Sequence, residues 1–436
     1  MTKLFRFALG AGFVGAVVAG VLVAWIAARG GHFVSPVRLV LYGGLPLGVS
    51  LVSLAALFLG HRARFHVALY GLALGVAMMG GELYLQGTER AAPPPTADAA
   101  TARAMTATFR ANGLSAFGHY CGASYLREGT DGVLRSRLAI DETETLPLSG
   151  LAGNHLIKVD DSKVTVRRTD AYGFNNPPGQ WRAGAVMVTG DSFAFGADVP
   201  FGAGFVDRAR ARFAPLVNLA CGGNGPLMEL AAVVEYGPLL RPSVVLWAYY
   251  EGNDLTKDIV RERAAPILAR YLGADYGQDL AARNADIQRA ARDFLDRRAR
   301  LKVLIAAAPG IQWPSAARLE YLRTALGLTY GFKPDTLALF AQVLARARDV
   351  VEGWGGRLVF LYLPGEGRYV TWLAGQDADG YRRAVLELVR GLSIPVIDMV
   401  PVFAGHERPR DLFRGHYTAE GHAMVAEAVA LELDKP

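Results

Sequence analysis

Apolar positions in this chain follow two regimes. In the first ninety residues they run on with almost no interruption. From about residue 185 they come in short blocks, each followed by a turn signal and then by apolar residues at helical spacing. Residues 7–28 and 39–60 are each 22 residues without a charge, and residues 65–85 carry only His66 and Glu82. A hydrocarbon core of about 30 Å takes about 20 residues at 1.5 Å rise each. The expectation is an all-α membrane anchor of three transmembrane helices within residues 1–86. A cleaved signal peptide is the rival for the first run. Its apolar core is shorter and Ile26-Ala27-Ala28 is a poor cleavage site, so a retained helix is expected.

Residues 87–104 hold three consecutive prolines among small residues and read as an extended linker. Residues 105–180 mix short apolar runs with turn signals and read as an irregular lead-in to the main domain, 105–436. Strand-like runs then follow at Ala185–Val188, Pro215–Leu219, Val244–Tyr249, Arg357–Leu363 and Ile394–Ile397. Helical patterns lie at about 203–213, 226–236, 335–353, 378–391 and 417–433. Continuous apolar strands alternating with helices predict an α/β fold, a parallel sheet with helices on both faces. The interval 255–350 is too long for one crossover and reads as a helical insertion.

Composition changes this picture only at the edges. Lys3, Arg6, Arg62 and Arg64 outnumber Arg29 and Arg38 on the other side of the anchor, which favours a cytoplasmic N-terminus. Three crossings then put the large domain outside the cytoplasm, in the periplasm of a bacterium with two membranes. Net charge is +6 with a pI near 9.3, and much of the positive charge is arginine between Arg261 and Lys302. A solvated helical face accounts for it; attraction to anionic lipid or an acidic glycan is the sharper reading. Nucleic acid is not an expected partner for a domain outside the cytoplasm. Cys121 and Cys221 both fall in the part assigned outside, where disulfides persist. A bridge between them and two separate buried thiols both remain open, and no ligand spacing suggests zinc.

The chemistry concentrates at strand ends. The run Val186-Met187-Val188-Thr189-Gly190-Asp191-Ser192-Phe193-Ala194-Phe195-Gly196 leads an apolar strand straight into a turn that can expose a serine. An ordinary strand-to-helix turn uses the same residues. After the second strand, Cys221-Gly222-Gly223-Asn224-Gly225 lets backbone N–H groups approach a substrate oxygen, or is a simple turn. After the third, Glu251-Gly252-Asn253-Asp254 offers an amide donor or a helix cap. Before the last helix, Gly415-His416-Tyr417-Thr418 places a histidine where it can reach across, with His422 expected to serve packing.

Together these four blocks, in this order, resemble the SGNH, or GDSL, hydrolase superfamily over roughly residues 170–430. With Tyr172-Gly173-Phe174-Asn175-Asn176-Pro177 they look like a bacterial membrane-anchored branch linked to envelope polysaccharides. The resemblance implies a three-layer, flavodoxin-like parallel sheet. It implies Ser192 as nucleophile, His416 as base, and the N–H groups of Ser192 and Gly223 with the Asn253 amide as oxyanion donors. Asp191 and Glu251 would have supporting roles. The pattern departs at the acid: Phe413 and Arg414 stand where family members carry Asp, leaving Asp411 or a Ser–His dyad. The expected function is a serine esterase or acyltransferase acting on ester-linked acyl groups, acetyl above all, of an envelope glycan. A lipid esterase or lysophospholipase, and a catalytically impaired assembly protein of the same fold, are the alternatives. No metal or organic cofactor is expected, because serine chemistry supplies its own nucleophile.

Overall fold

The computed structural model describes residues 44–90, 97–118, 120–160, 163–301, 313–327 and 331–434, with a few isolated positions before them. The chain divides into two compact units. One comprises 1–93, 307–334 and 367–385; the other comprises 94–306, 335–366 and 386–436.

In the first unit, the apolar run 7–28 lies outside the described residues except for isolated positions. The second run yields a helix over Leu45–Phe58, which at 14 residues is shorter than a bilayer core. The third forms part of a 30-residue helix, His61–Arg90. Its stretch His61–Gly87 is the one helix among the described residues long and apolar enough to cross a membrane. Tyr70, Leu72, Leu74 and Val76 on it are exposed, whereas Glu82 is buried. The Glu82 carboxylate accepts the Tyr321 and Leu322 N–H groups at 3.1 and 2.8 Å, so its charge is met by backbone dipoles.

The described residues of the expected extended linker are helical: 87–90 end the His61–Arg90 helix and 97–104 belong to a helix, Ala97–Ala111. Alanine is the strongest helix former, and Asp98 in the first turn suits the helix dipole. The prolines themselves lie outside the described residues.

The second unit is built on a five-stranded parallel sheet. Its strands are β1 (Val186–Gly190), β2 (Leu216–Asn218), β3 (Val244–Tyr250), β4 (Arg357–Leu363) and β5 (Val396–Asp398). The spatial order is β5-β4-β3-β1-β2, all parallel. Every residue of β3 is buried, which is why its sequence, Val-Val-Leu-Trp-Ala-Tyr-Tyr, shows no alternation. The direction in which successive strands are added across the sheet reverses between β1 and β3. With right-handed crossovers, the Phe205–Phe213 helix lies on one face and Pro226–Tyr236 on the other. The Ala419–Leu433 helix packs beside Phe205–Phe213. In such a sheet the crevice at the reversal, beyond the carboxyl ends of the strands, is the ligand position.

The lead-in 105–180 is more regular than its sequence reading. It holds three antiparallel hairpins: Leu126–Glu128 with Leu134–Ser136, Leu138–Ile140 with Thr143–Thr145, and His155–Asp160 with Lys163–Arg168.

Candidate active site

All four sequence blocks converge at the reversal between β1 and β3. Gly190 ends β1 with φ +157°. A Cβ there would stand 2.8 Å from the Ala194 Cβ and 3.0 Å from the Ala248 carbonyl oxygen, so only glycine fits. Asp191 then buries its carboxylate. One oxygen accepts the Phe193 N–H at 2.8 Å and caps the short helix Ser192–Phe195; the other accepts the Asn253 amide at 3.2 Å. Burial raises the Asp191 carboxyl to about 6, against the opposing effect of those two hydrogen bonds. Gly196, at φ +75°, stops the helix after four residues. Ser192 therefore stands at the first position of a helix too short to cover it.

His416 comes from a two-residue antiparallel ladder, Phe413–Arg414 against His416–Tyr417, turned by Gly415 at φ +79°. The Thr418 hydroxyl accepts the Gly421 N–H and starts the Ala419–Leu433 helix behind it. His416 Nε2 lies 2.9 Å from Ser192 Oγ. Its ring is backed by Phe193, with centroids 4.9 Å apart.

The other ring nitrogen answers the question of the acid. His416 Nδ1 is 2.6 Å from Asp198 Oδ2. A carboxylate on Nδ1 selects the Nδ1–H tautomer and leaves Nε2 free to accept the serine proton. The hydrogen bond from His416 holds the Asp198 carboxyl below its usual range, with the nearby His416 and Lys158 charges adding to it and burial opposing. Asp411, the acid the sequence offered, instead pairs with Arg408 at 3.0 Å and is half exposed. Nothing in the sequence near the histidine points to Asp198, which lies 218 residues upstream, in Ala197-Asp198-Val199-Pro200. The available signal was positional: a lone acid in the loop directly after the nucleophile turn.

The Gly222-Gly223 loop is beside the serine, the Gly222 Cβ position being 3.9 Å from Ser192 Cβ. Gly223 has φ +81°, and its carbonyl accepts the Arg261 guanidinium at 2.6 Å. Among the described residues no hydrogen bond within the protein uses the Ser192 or Gly223 N–H. Cys221 is bridged to Cys121, with Cα atoms 6.4 Å apart. Glu262 closes the loop from the other side, accepting the Gly225 and Leu227 N–H groups at 2.6 and 2.9 Å.

Glu251 and His422 turn out to be packing groups. Glu251 is buried, accepts the Tyr362 hydroxyl at 2.7 Å and the Gly365 N–H at 2.9 Å, and so ties the end of β3 to that of β4. His422 is fully buried, accepts the Phe205 N–H at 3.2 Å, and is pushed down to about 3 by that burial. Behind Asp191 and the loop lie further buried carboxyls. Burial raises Asp258 to about 7 and Glu262 to about 8, each opposed by Arg261, and drives Glu229 and Asp254 well above the usual carboxylate range.

No family model and no curated protein matches the chain. The solved structures similar to it include lipolytic proteins of the G-D-S-L family, a lipase/acylhydrolase and an acetyl xylan esterase. One is a member of the lipolytic protein G-D-S-L family from Veillonella parvula DSM 2008, with 14% identity over 57% of this chain and 97% of that one and a TM-score of 0.31. An acetyl xylan esterase shares 12% identity over 57% of this chain and 99% of its own, at a TM-score of 0.32. TesA gives 12% identity, 57% and 98% coverage and a TM-score of 0.32. Likeness at this level assigns no chemistry to the residues above; that rests on this chain's own geometry.

Proposed function

We propose that this chain is a membrane-attached serine esterase or acyltransferase that works through a Ser192 acyl-enzyme. The observation that carries the reading is the continuous hydrogen-bonded line from Ser192 Oγ through both nitrogens of His416 to Asp198. Nucleophile, base and orienting acid stand in the order that acyl transfer requires.

In this mechanism Ser192 Oγ attacks the acyl carbon and its proton passes to His416 Nε2. Asp198 holds the imidazole and stabilises the imidazolium. The tetrahedral oxyanion is met by the Ser192 and Gly223 N–H groups and by the Asn253 amide, which keeps a second N–H after donating one to Asp191. Collapse expels the alcohol, which takes its proton from Nε2. Water then releases the acid, or a second alcohol takes the acyl group, as the same relay runs in reverse.

The acyl donor we infer is a short ester, acetyl above all, on an envelope glycan. The Asp198 side chain is 65% exposed and that of His416 26%. An acid–base pair that open suits an acyl group borne on a bulky polar carrier better than one buried with a long lipid chain. Membrane attachment through the first unit is supported by the His61–Gly87 helix and its exposed apolar side chains. An extracytoplasmic site for the second unit is supported by the Cys121–Cys221 bridge, which an oxidising compartment maintains.

A serine-directed fluorophosphonate probe tests the reading. The wild-type chain is expected to label once and Ser192→Ala not at all, with acetate released from an acetylated polysaccharide only by wild type. Equal labelling of both chains would falsify the nucleophile assignment. Release of fatty acid from lysophospholipid without release of acetate would replace the glycan with a lipid.

A further inference from the structure

Asp198 presents a physical problem. It is the most exposed member of its triad, it sits at φ +58°, and its loop is short. An acid that orients a catalytic base must itself be held, and the holding contacts come from a distant hairpin. In the His155–Asp160 and Lys163–Arg168 pair, Lys158 lies opposite Thr165 and Leu156 opposite Arg167, so these four share one face. Leu156 is buried, whereas Val164 and Val166, on the opposite face, are exposed. The shared face meets the residues on either side of Asp198. The Lys158 ammonium donates to the carbonyl of Gly196, the residue that ends the nucleophile helix. It lies 4.9 Å from the Phe195 ring centroid and 4.6 Å from that of Phe201. The Phe201 N–H donates to the Thr165 hydroxyl at 3.3 Å, and the Arg167 guanidinium covers the Phe201 ring at 4.6 Å. Arg167 also pairs with Asp207 at 2.8 Å, whose other oxygen accepts the Gly202 N–H at 2.9 Å.

Building on the triad reading above, we propose that Lys158 is a positioning residue that locks the 196–201 loop and thereby fixes Asp198 against His416. It bridges the two aromatic residues that bracket the loop, and its charge acts on the Asp198 carboxylate from nearby. Desolvation lowers the Lys158 ammonium to about 8, so it remains charged at neutral pH. Lys158 touches no reacting atom. An effect that passes through Asp198 disappears when Asp198 is removed, and this separates it from a general stabilising contact.

A double-mutant cycle with p-nitrophenyl acetate as substrate and the full chain in detergent tests this. Lys158→Met is expected to lower kcat about tenfold at unchanged KM, because small misplacements of an orienting group are costly. In an Asp198→Asn background the same substitution is expected to change kcat less than twofold. Phe201→Leu, which keeps an apolar side chain, is expected to show the same non-additive pattern and serves if Lys158→Met does not fold. Equal losses in both backgrounds, or wild-type kcat in Lys158→Met, overturn the positioning role while leaving the triad intact. Wild-type kcat in Asp198→Asn overturns the triad reading, and this inference with it.

Discussion

Two loops flank Ser192, and they are secured in different ways. The loop at 221–225 is buried and held from both sides: by the Cys121 bridge and the Gly122–Tyr125 turn on one, and by Arg261 and Glu262 on the other. Gly225 packs so closely that a Cβ would come 2.5 Å from the Asp258 Cβ. The loop at 196–201 is buried at Gly196 and Val199, exposes only Asp198 to solvent, and leans on one face of a hairpin. The first loop has to offer N–H donors at fixed points, which calls for preorganisation. The second has only to keep a carboxylate beside an imidazole. On the proposed mechanism, rigidity is placed where charge would develop in the transition state, and a lighter restraint suffices where it would not.

The sharpest way to break this contrast is through the acid. Asp198→Asn is expected to lower kcat by about a hundredfold to ten-thousandfold, since it disfavours the needed tautomer. Steady-state kinetics with p-nitrophenyl acetate measures it. On the donor side, Asn253→Ala is expected to cost about a hundredfold or more in kcat with little change in KM. Comparable KM and kcat effects would place Asn253 in substrate binding instead. Cys121→Ser with Cys221→Ser removes one clamp of the buried loop and is expected to cost about 2–5 kcal/mol of stability. Thermal melts check this, and the loss of activity below the melting transition is expected to stay small because Arg261 and Glu262 remain.

A weaker effect follows from the carboxyls that hold the buried loop. Asp258 and Glu262 titrate at about 7 and 8 when folded and near 4 when unfolded. The folded state therefore binds more protons, and stability falls as pH rises through those values. The melting temperature is expected to drop between about pH 6.5 and pH 8, and Glu262→Gln is expected to flatten that drop. His422 opposes this drop while its unfolded form deprotonates around pH 6.5 and adds nothing above about pH 7.5, and Lys158 acts in that opposing sense only from about pH 8 upward. The smallest expected effect is none: Asp411→Asn should match wild type in kcat, because its partner is Arg408.

The same contrast explains what could be read from the residues alone. The sheet was legible because buried parallel strands are uninterrupted apolar runs; Val244–Tyr250 and Arg357–Leu363 fall within a residue of their expected limits. Ser192, Gly223, Asn253 and His416 were legible as candidates because a strand end, a glycine pair and a helix start impose particular residue types. Asp198 was not, because any exposed loop can carry an aspartate, and only the folded distance to His416 distinguishes it. The supporting hairpin was passed over as irregular, although Lys163-Val164-Thr165-Val166-Arg167 alternates at the strand period. The anchor was legible only as apolar length, and of its three runs one forms a long helix among the described residues.

The placement of the acid has a consequence for how the chain is made. Ser192 and Asp198 are synthesised within one short segment, while His416 follows 224 residues after the serine. If Ser192 and His416 act as proposed, the nascent chain carries its nucleophile through that interval without the base that would arm it. On the proposed mechanism, reactivity waits for one late, long-range docking that joins His416 to the finished pair.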